Sequence, residues 1–460
     1  MKGHAQVTDD LAESTAQTIE NTCSEHDVEL IRLLYVGNDG VTRGHTVPAR
    51  DIETLLQRGV TLPKSVQSLT ARDRRLLDGM FDSVGEVRLV PDPFTFQVLP
   101  YESQCAAMLC DIETVTGDRW EADPRSALRE FLNELRADGF EPKTAFESEF
   151  HLFEETESGL VPHDNAGVYS TANMRAAHDV IREMVDALKT QGMRFNRYYP
   201  EHAPGKHEIV TGHESGLTAP DSYVHYKETI QGVADGHDLS ATFHPKPTDH
   251  STNGCHIHLS LWKDEENAFF DPDVESEYGL SDTARHFIGG VLEHAPALVG
   301  LTSPTVNSYA RIRPQVEASA YVCWGFDNRE SIVRIPSPDT DSGAATRLEF
   351  RPADNSANPY LSLLGLLAAG MDGVRNERDP GDPVACDPGN LSADERDARG
   401  IERLPTTLRQ ALDALESDSV LADALGEKLH ESYLEVKRNQ WRAFTESAGE
   451  WKRDEYLRVY

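Results

Sequence analysis

Two short segments of the sequence carry ionisable side chains at the two-residue spacing of a β-strand face. Glu147 and Glu149 lie two apart among phenylalanines, and His256 and His258 lie two apart among apolar residues. Alternate residues of a strand point to the same side of a sheet, so the members of each pair would share a face. Buried carboxylates need a neutralising cation, and hard divalent ions prefer oxygen ligands, whereas paired histidines ligate metals or contact phosphates. Taken alone, either pair could instead lie on a solvated strand face.

Two further acids, Glu201 and Glu208, flank the turn residues Pro204 and Gly205. A Pro-Gly turn indicates a loop, and loops held by a rigid scaffold carry many binding and catalytic groups. An ordinary surface loop has a similar composition. The two acids therefore become candidate ligands only together with the other groups.

The richest stretch of charged residues runs from residue 307 to residue 351. Its arginines, which nearby acids do not match one for one, are Arg311, Arg313, Arg329, Arg334, Arg347 and Arg351. Guanidinium groups suit carboxylates and phosphoryl groups, and Glu349 adds an acid to the same alternating segment. Structural salt bridges are the competing interpretation of any single arginine. Together the acids, histidines and arginines predict a site for phosphate, a divalent metal and a carboxylate substrate.

The elements that must position these groups follow from the apolar periodicity. Thr144–Phe153 and Cys255–Leu261 alternate as antiparallel strands do, and Arg125–Asp138 and Leu408–Tyr460 have a helical period. Helices and strands follow one another without the regular rhythm of a doubly wound sheet, and neither a P-loop nor a G-x-G-x-x-G motif is present. The prediction is an α+β fold in which metals and arginines hold any nucleotide.

The sequence pattern of residues 25–117 predicts a small mixed domain. The polar tail before it, residues 1–24, could form a short helix or be disordered. The predicted elements of the domain are a hairpin, a helix and two strands: Val28–Val36 with Val41–Val47, Ala49–Arg58, Glu86–Val90 and Phe94–Leu99. A turn-rich passage at Gly117 sets the boundary, and residues 118–460 form the larger domain.

The composition excludes several classes of protein. With 44 Lys and Arg against 78 Asp and Glu, the 460-residue chain has a formal net charge of −34. Such a charge repels nucleic acid and anionic membranes, so neither is expected as a partner. No apolar run approaches the ~20 residues of a membrane span, and the N-terminus lacks a signal-peptide pattern. We expect a cytoplasmic protein whose six cysteines are reduced thiols.

These motifs resemble glutamine synthetase and its γ-glutamyl amine ligase relatives from about residue 27 to the C-terminus. The matching segments are the paired-Glu strand 146–150, the E-x-x-P-G-x-x-E loop 201–208, the H-x-H-x-S strand 256–260, N-S-Y-x-R at 307–311, N-R-x-x-x-x-R-I-P at 328–336, R-x-E-x-R at 347–351 and N-P-Y at 358–360. The resemblance implies a small β-grasp domain, then a larger catalytic domain whose curved antiparallel sheet forms a funnel. It also implies ringed homo-oligomers, commonly dodecamers of two hexamers.

The resemblance further implies roles for individual residues, with ATP and Mg²⁺ or Mn²⁺ as cofactors. One metal site would use Glu149, Glu201 and Glu208, and the other Glu147, His256 and Glu349. The residues that would face ATP and its phosphates are His258, Ser260, Arg329 and Arg334, with Arg329 also catalytic. Arg311 and Arg351 would hold glutamate. Glu317 would close the site and help to deprotonate the incoming amine.

The implied reaction joins the γ-carboxylate of glutamate to an amine through γ-glutamyl phosphate. Three departures from the family pattern bear on the acceptor and on the glutamate contacts. Leu62–Val66 replaces a D-G-S-S segment whose Asp binds ammonium, Lys206 stands where Gln is usual, and Ser251–Cys255 replaces N-G-S-G-M. We therefore expect an organic amine such as putrescine or another polyamine as acceptor.

Two alternatives stay open. A glutamine synthetase that uses ammonia would result if a nearby acid such as Asp73 replaced the missing Asp. A homologue of another class, catalytically silent and acting as a nitrogen sensor or scaffold, is disfavoured because all six proposed metal ligands are present.

The net charge of −34 generates a prediction about salt. The assembly should require roughly molar KCl or NaCl, where the Debye length falls to ~3 Å and repulsion between acidic subunits is screened. Size-exclusion chromatography in dilute buffer should show dissociation or unfolding. The acidic composition indicates a halophilic protein, and equal stability at low salt would contradict this interpretation without affecting the enzymatic one.

Overall fold

The structure is a computed structural model of the 460-residue chain. It describes residues 15–76, 79–157, 159–165, 167–274, 278–316, 318–337, 343–446, 456–457 and 459–460.

Within these residues the chain forms fourteen α-helices and eighteen strands. The helices are α1 (15–25), α2 (Ile52–Arg58), α3 (Pro124–Ala137), α4 (Thr171–Ala176), α5 (His178–Thr190), α6 (Thr218–Gly236), α7 (Asp282–Glu293), α8 (Ala295–Thr302), α9 (Ser308–Arg311), α10 (Pro359–Arg375), α11 (Ala393–Ala398), α12 (Leu408–Ser417), α13 (Ser419–Leu425) and α14 (Glu427–Glu446). The strands are β1 (Leu30–Val36), β2 (Thr42–Pro48), β3 (Val60–Pro63), β4 (Glu86–Pro91), β5 (Gln97–Val98), β6 (Cys105–Thr114), β7 (Glu141–Thr156), β8 (Gly159–Pro162), β9 (Phe195–Pro200), β10 (Lys206–Thr211), β11 (Glu214–Ser215), β12 (Leu239–Thr242), β13 (Cys255–Lys263), β14 (Glu266–Asn267), β15 (Tyr321–Phe326), β16 (Ser331–Ile335), β17 (Leu348–Phe350) and β18 (Glu402–Arg403).

The N-terminal sheet has the order β2-β1-β6-β4-β3, with β5 beside β6. The β1–β6 pair is parallel and the other pairs are antiparallel, as in the mixed sheet of a β-grasp domain. The predicted hairpin is confirmed, because β1 and β2 pair across the turn at Asn38-Asp39-Gly40. Helix α1 packs on this sheet through the buried Ile19 and Cys23. The helical alternative is therefore realised in part of the N-terminal segment.

One element of this domain was predicted wrongly. The stretch Phe94–Leu99 alternates in sequence like a strand, but a 3₁₀ turn occupies Pro93–Thr95 and only Gln97–Val98 pairs in a sheet. The cause is local: the Asp92 side chain accepts a hydrogen bond from the Phe94 amide and starts the turn, and Pro93 at its first position favours it.

The second sheet is larger and curls into a half-barrel, which confirms the α+β fold. Its main path is β18-β15-β16-β17-β13-β7-β10-β9. All pairs are antiparallel except β15–β16, which is parallel. Strand β7 is the longest and also pairs with β8, β11 and β12, so it organises the sheet. Its apolar face packs on α6, where Phe146 stacks on Tyr223 with ring centroids 4.7 Å apart.

None of the helices in the described residues combines the length and the apolar character that a membrane crossing requires. The six cysteines are free thiols.

A buried arginine ties the two sheets together. Arg125, at the start of α3, donates to Asp221 of α6 at 2.7 and 2.9 Å, to Asp111 of β6 at 2.6 Å and to Asp92 at 2.8 Å. Its side chain is 3% exposed. Removing one member of a buried ionic network leaves the partners uncompensated, which is far more costly than losing a surface pair.

The Arg125→Met variant should therefore lose about 3–5 kcal/mol of stability, measured as the free energy of unfolding in urea. The matched control is Arg182→Met, which removes an exposed arginine paired with Asp186 at 3.2 Å on α5. That control should change stability by only ~0.5 kcal/mol. Similar losses in the two variants would mean that the Arg125 network does not hold the sheets together.

Candidate active site

The predicted site residues meet on one face of the large sheet because its strands pair in a particular register. Residues that lie directly opposite each other share a face, so the pairs carry the site from strand to strand. Across β10, β7, β13, β17 and β16 these pairs are Glu208 with Glu149, Glu147 with His256, His258 with Glu349, and Glu349 with Arg334. The sequence spacing on each strand and the register between strands together build a single cluster of charge.

One part of this cluster consists of Glu149, Glu201 and Glu208, which we call the three-glutamate cluster. Each contributes a carboxylate oxygen, and these oxygens lie within 4.8 Å of one another. Glu201 reaches the group from the loop before β10. Lys206 also reaches it, with Nζ 2.9 Å from Glu149 Oε1 and 3.9 Å from Glu201 Oε2.

The pKa values in the three-glutamate cluster are shifted because several negative charges lie close together. Burial, together with the charges of Glu147 and Glu149, raises the pKa of Glu208 well above its ordinary value. Burial and Glu149 also raise the pKa of Glu201, although Lys206 opposes this. At Glu149 burial is outweighed by Lys206 and a nearby histidine, so its pKa is lowered. The cluster as a whole still lacks positive charge, so its oxygen donors fit a divalent cation.

The second part of the site, which we call the histidine cluster, joins Glu147, Glu349 and both histidines of β13. One oxygen of each acid lies within 4.8 Å of a His258 nitrogen. His256 Nδ1 lies 3.5 Å from Glu147 Oε1 and 3.4 Å from Glu349 Oε1. Burial alone would raise the pKa of Glu147, but hydrogen bonds from the two histidines hold it well below its ordinary value.

Glu349 is fully buried and lies between two arginines. Arg334 Nη1 donates to its Oε2 at 2.7 Å, and Arg351 donates to its Oε1. Burial opposes its ionisation, but Arg351, His258 and His256 hold its pKa at about 2. The carboxylate is therefore ionised at any physiological pH, as a metal ligand or an arginine partner must be.

The hydrogen bonds distinguish the chemistry of the two histidines. Arg347 Nε lies 3.2 Å from His258 Nδ1. A guanidinium can only donate, so Nδ1 of His258 accepts and its proton lies on Nε2, which faces Glu147 Oε2 at 3.3 Å. A nitrogen that carries a proton donates hydrogen bonds and does not ligate a metal. In this tautomer His258 Nε2 can donate to an acceptor such as a phosphoryl oxygen, although a His258 nitrogen also converges with oxygens of Glu147 and Glu349. His256, whose Nδ1 faces the same two carboxylates, can ligate a metal.

Two cavities meet at these clusters. The larger has a volume of about 1020 Å³ and the smaller of about 460 Å³, and both are lined by Glu147, Arg197, His258 and Arg347. Ten of the predicted residues line the larger cavity: Glu147, Glu149, Glu201, Glu208, His256, His258, Arg311, Arg329, Arg334 and Arg351. Ser260 lines the smaller one. The geometry thus brings the predicted groups around two adjoining spaces, although they come from distant parts of the chain.

Arg311 is held rigidly at the wall of the larger cavity. Its Nη1 and Nη2 donate to the carbonyl oxygens of Pro352 and Arg351 at 2.6 and 2.9 Å. Burial lowers its pKa. Gly254 lies beside it, where a Cβ atom would come within 2.9 Å of both Arg311 Nη2 and His256 Nε2. A larger residue at this position would therefore have to displace one of these two side chains.

Glu317 lies outside the described residues. The prediction also assigned no role to three residues of the smaller cavity, Lys143, His213 and Trp262, and it included Arg347 only as a member of the arginine-rich stretch. Lys143 Nζ lies 3.3 Å from the centroid of the Trp262 ring, and Trp262 Nε1 donates to Ser260 Oγ at 3.0 Å. Trp262 follows Ser260 by two residues on β13, so its strand spacing was a signal that could have placed it on this face.

Comparison with known proteins decides the family. Residues 15–120 match the glutamine synthetase N-terminal domain, and residues 121–456 match the glutamine synthetase catalytic domain. The chain belongs to the glutamine synthetase family. It is an ATP-dependent carbon–nitrogen ligase that acts on glutamate, and enzymes of this family use ATP and divalent metal ions.

The similarity extends over almost the whole chain. The glutamine synthetase of Halobacterium salinarum is 36% identical over 442 residues, covering 94% of this chain and 94% of the relative. That of Thermus thermophilus is 36% identical over 446 residues, covering 94% and 97%. A solved structure described as a novel glutamine synthase homolog has a TM-score of 0.82 at 31% identity, covering 94% and 99%. A GmaS/ADP complex has a TM-score of 0.82 at 31% identity, covering 95% and 98%.

Replacing Glu349 by glutamine should reduce kcat at least ~100-fold, because the substitution keeps the shape but removes the charge of a proposed metal ligand. Glutamine is preferable to alanine here, since alanine would also leave Arg334 and Arg351 without their buried partner. Phosphate release from ATP in the presence of glutamate and an amine measures the effect.

The matched control for this prediction is Glu154→Gln, the same substitution at an exposed glutamate of β7. Glu154 pairs with His163 outside the cavities. This variant should retain its activity. Full activity of the Glu349→Gln variant would contradict the assignment of Glu349 to the metal site.

Proposed function

We propose that this ligase joins the γ-carboxylate of glutamate to an organic amine, such as putrescine or another polyamine. The carboxylate attacks the γ-phosphoryl group of ATP, ADP leaves, and the amine displaces phosphate from the resulting γ-glutamyl phosphate. The observation that carries the proposal is the missing acid at Leu62–Val66, the segment that corresponds to the ammonium-binding segment of glutamine synthetases.

The surroundings of this segment support an organic acceptor. Lys64 lies half-buried over Gly85, where its Cδ would lie 3.1 Å from a Cβ atom, and it offers no carboxylate to replace the hydration of ammonium. The substitute acid considered above, Asp73, pairs with Arg43 at 3.1 Å. An alkyl amine needs less help from such an acid, because its carbon chain gains from lying along apolar surface.

The chain's own residues account for substrate binding. Arg311 and Arg351 are proposed to bind glutamate at the wall of the larger cavity. His258, Ser260, Arg329 and Arg334 are proposed to contact the phosphates of ATP, with its base in the smaller cavity. The proton on His258 Nε2 suits a phosphoryl oxygen, and Arg329, which is exposed at the cavity, is free to follow the transferred group. Glu317 is proposed to accept the proton of the amine.

Mg²⁺ or Mn²⁺ would be held by Glu147, His256 and Glu349 and by Glu149, Glu201 and Glu208, and when bound it would offset charge on the phosphoryl oxygens. The fit rests on the donors, which are the three carboxylates of the three-glutamate cluster with too little fixed positive charge, and two carboxylates of the histidine cluster that face the Nδ1 of His256. We also propose a cytoplasmic homo-oligomer, a dodecamer of two hexameric rings.

A second candidate is glutamine synthetase itself, with ammonia as the acceptor. The 36% identity to the glutamine synthetases of Halobacterium salinarum and Thermus thermophilus favours it. The two candidates share every step up to γ-glutamyl phosphate, so only the acceptor separates them.

Steady-state kinetics with ammonium, methylamine, ethanolamine, putrescine and spermidine test the proposal. We expect kcat/KM for at least one organic amine to exceed that for ammonium by ~10-fold or more, a difference of about 1.4 kcal/mol. A higher kcat/KM for ammonium than for every organic amine would establish the second candidate instead.

A pair of variants at Lys64 tests whether the missing acid is the reason for a low activity with ammonium. Lys64→Asp supplies an acid in the segment that corresponds to the ammonium-binding segment and should raise kcat/KM for ammonium about tenfold, the effect of about 1.4 kcal/mol of added attraction. Lys64→Gln removes the cation without adding an acid and should raise it less. Equal effects of the two variants would show that repulsion by the lysine, not the missing acid, limits ammonium.

A further inference from the structure

Lys206 lies in the three-glutamate cluster, but the proposed reaction assigns it no role. Lys206 begins β10, two residues before Glu208, so both side chains point to the same face of the sheet. Its side chain is only 7% exposed, and that of its closest partner, Glu149, is 11% exposed. A buried lysine this close to a buried carboxylate is held by the register of the sheet, in contrast to the flexible lysines of the surface.

The position of the ammonium group overlaps with the position that a metal ion would need. Nζ lies 2.9 Å from Glu149 Oε1 and 3.9 Å from Glu201 Oε2, and so between two of the three acids. A Mg²⁺ or Mn²⁺ ion held by the same oxygens would lie ~2.1 Å from them. The ion and the ammonium would then be within a few ångströms of each other in a poorly solvated site, where like charges repel strongly.

We propose that Lys206 is a resident cation of the three-glutamate cluster and takes the place of one tightly bound divalent ion. Each chain then binds one divalent ion tightly, at the histidine cluster. A second ion binds at the three-glutamate cluster only weakly, because Lys206 must move away. Binding there is not abolished, since one ammonium does not neutralise three carboxylates.

Two observations separate this inference from an ordinary structural ion pair. First, Lys206 contacts members of a group whose oxygens already converge as ligands, whereas a structural pair needs only one acid. Second, Lys246 also lines the cavity, and its Nζ donates to the carbonyl oxygen of Asp249 at 3.1 Å. Among the described residues that line the cavity, Lys206 is the lysine whose Nζ lies at the oxygens of the three-glutamate cluster.

Mn²⁺ binding without nucleotide, glutamate or amine tests the inference, with free Mn²⁺ followed by electron paramagnetic resonance. The wild-type protein should bind one tight ion per chain and a second at least ~10-fold more weakly. Lys206→Gln and Lys206→Met should each tighten the second site at least ~10-fold, because both remove the charge. Lys246→Gln, the matched control, should leave the two affinities unchanged.

Several outcomes would overturn the inference. Two equally tight ions in the wild-type protein would do so directly, even if neither Lys206 variant folds. Tightening in Lys206→Gln but not in Lys206→Met would mean that the amide acts as a new ligand, so the charge of Lys206 is not the cause. Tightening in Lys246→Gln would assign the effect to the overall charge of the cavity.

A further variant locates the tight ion. Glu349→Gln in the wild-type background should remove the tight site, whereas in the Lys206→Gln background one tight ion should remain. Because the titration contains no amine, its result is independent of the acceptor. A failure of the organic-amine proposal and a failure of this inference are therefore distinguishable.

Discussion

The structure of this enzyme depends on one constraint, which is how to bury five glutamates in two adjacent clusters, four of them at the wall of one cavity. A carboxylate out of water is tolerated only when a cation or hydrogen bonds offset its charge. The chain supplies these partners unevenly. Glu349 has two arginines and Glu147 has two histidines, but in the three-glutamate cluster one lysine contacts Glu149 and Glu201, and Glu208 accepts a hydrogen bond from Tyr199. Because the partners are distributed unequally, an added cation is stabilised more at some carboxylates of the site than at others.

The fold meets this constraint through β7. Its alternating residues send Glu147 and Glu149 into the cavity and Phe146 and Phe150 into the core, where Phe146 stacks on Tyr223 of α6. The apolar face anchors the strand, and the anchored strand fixes the positions of the acids. A slip of one residue in its pairing with β13 would exchange the two faces, burying the carboxylates among aromatic rings. The packing of the core and the chemistry of the site are therefore enforced by the same register.

Much of the site was predictable from the sequence because its signals are local. Two-residue spacing identified the pairs on β7 and β13, and the Pro-Gly turn identified Glu201 and Glu208. What was not predictable depends on contacts between distant segments. The tautomer of His258 is set by Arg347, 89 residues away. The parallel pairing of β15 and β16 and the short β5 likewise depend on neighbours and on a turn that residue periodicity does not encode.

The charge of the site and the charge of the whole chain obey different rules. Mobile ions screen the exposed acids that make up most of the −34 net charge, and they do so more strongly as salt rises. They screen Glu349, which is 0% exposed, and Glu208, which is 2% exposed, much less. Those carboxylates must be neutralised by groups fixed to the fold or by ions bound at defined positions. The number of acids on the surface can therefore vary with the salt of the environment. The positions of Arg334, Arg351 and Lys206 are instead fixed by the buried acids that they contact.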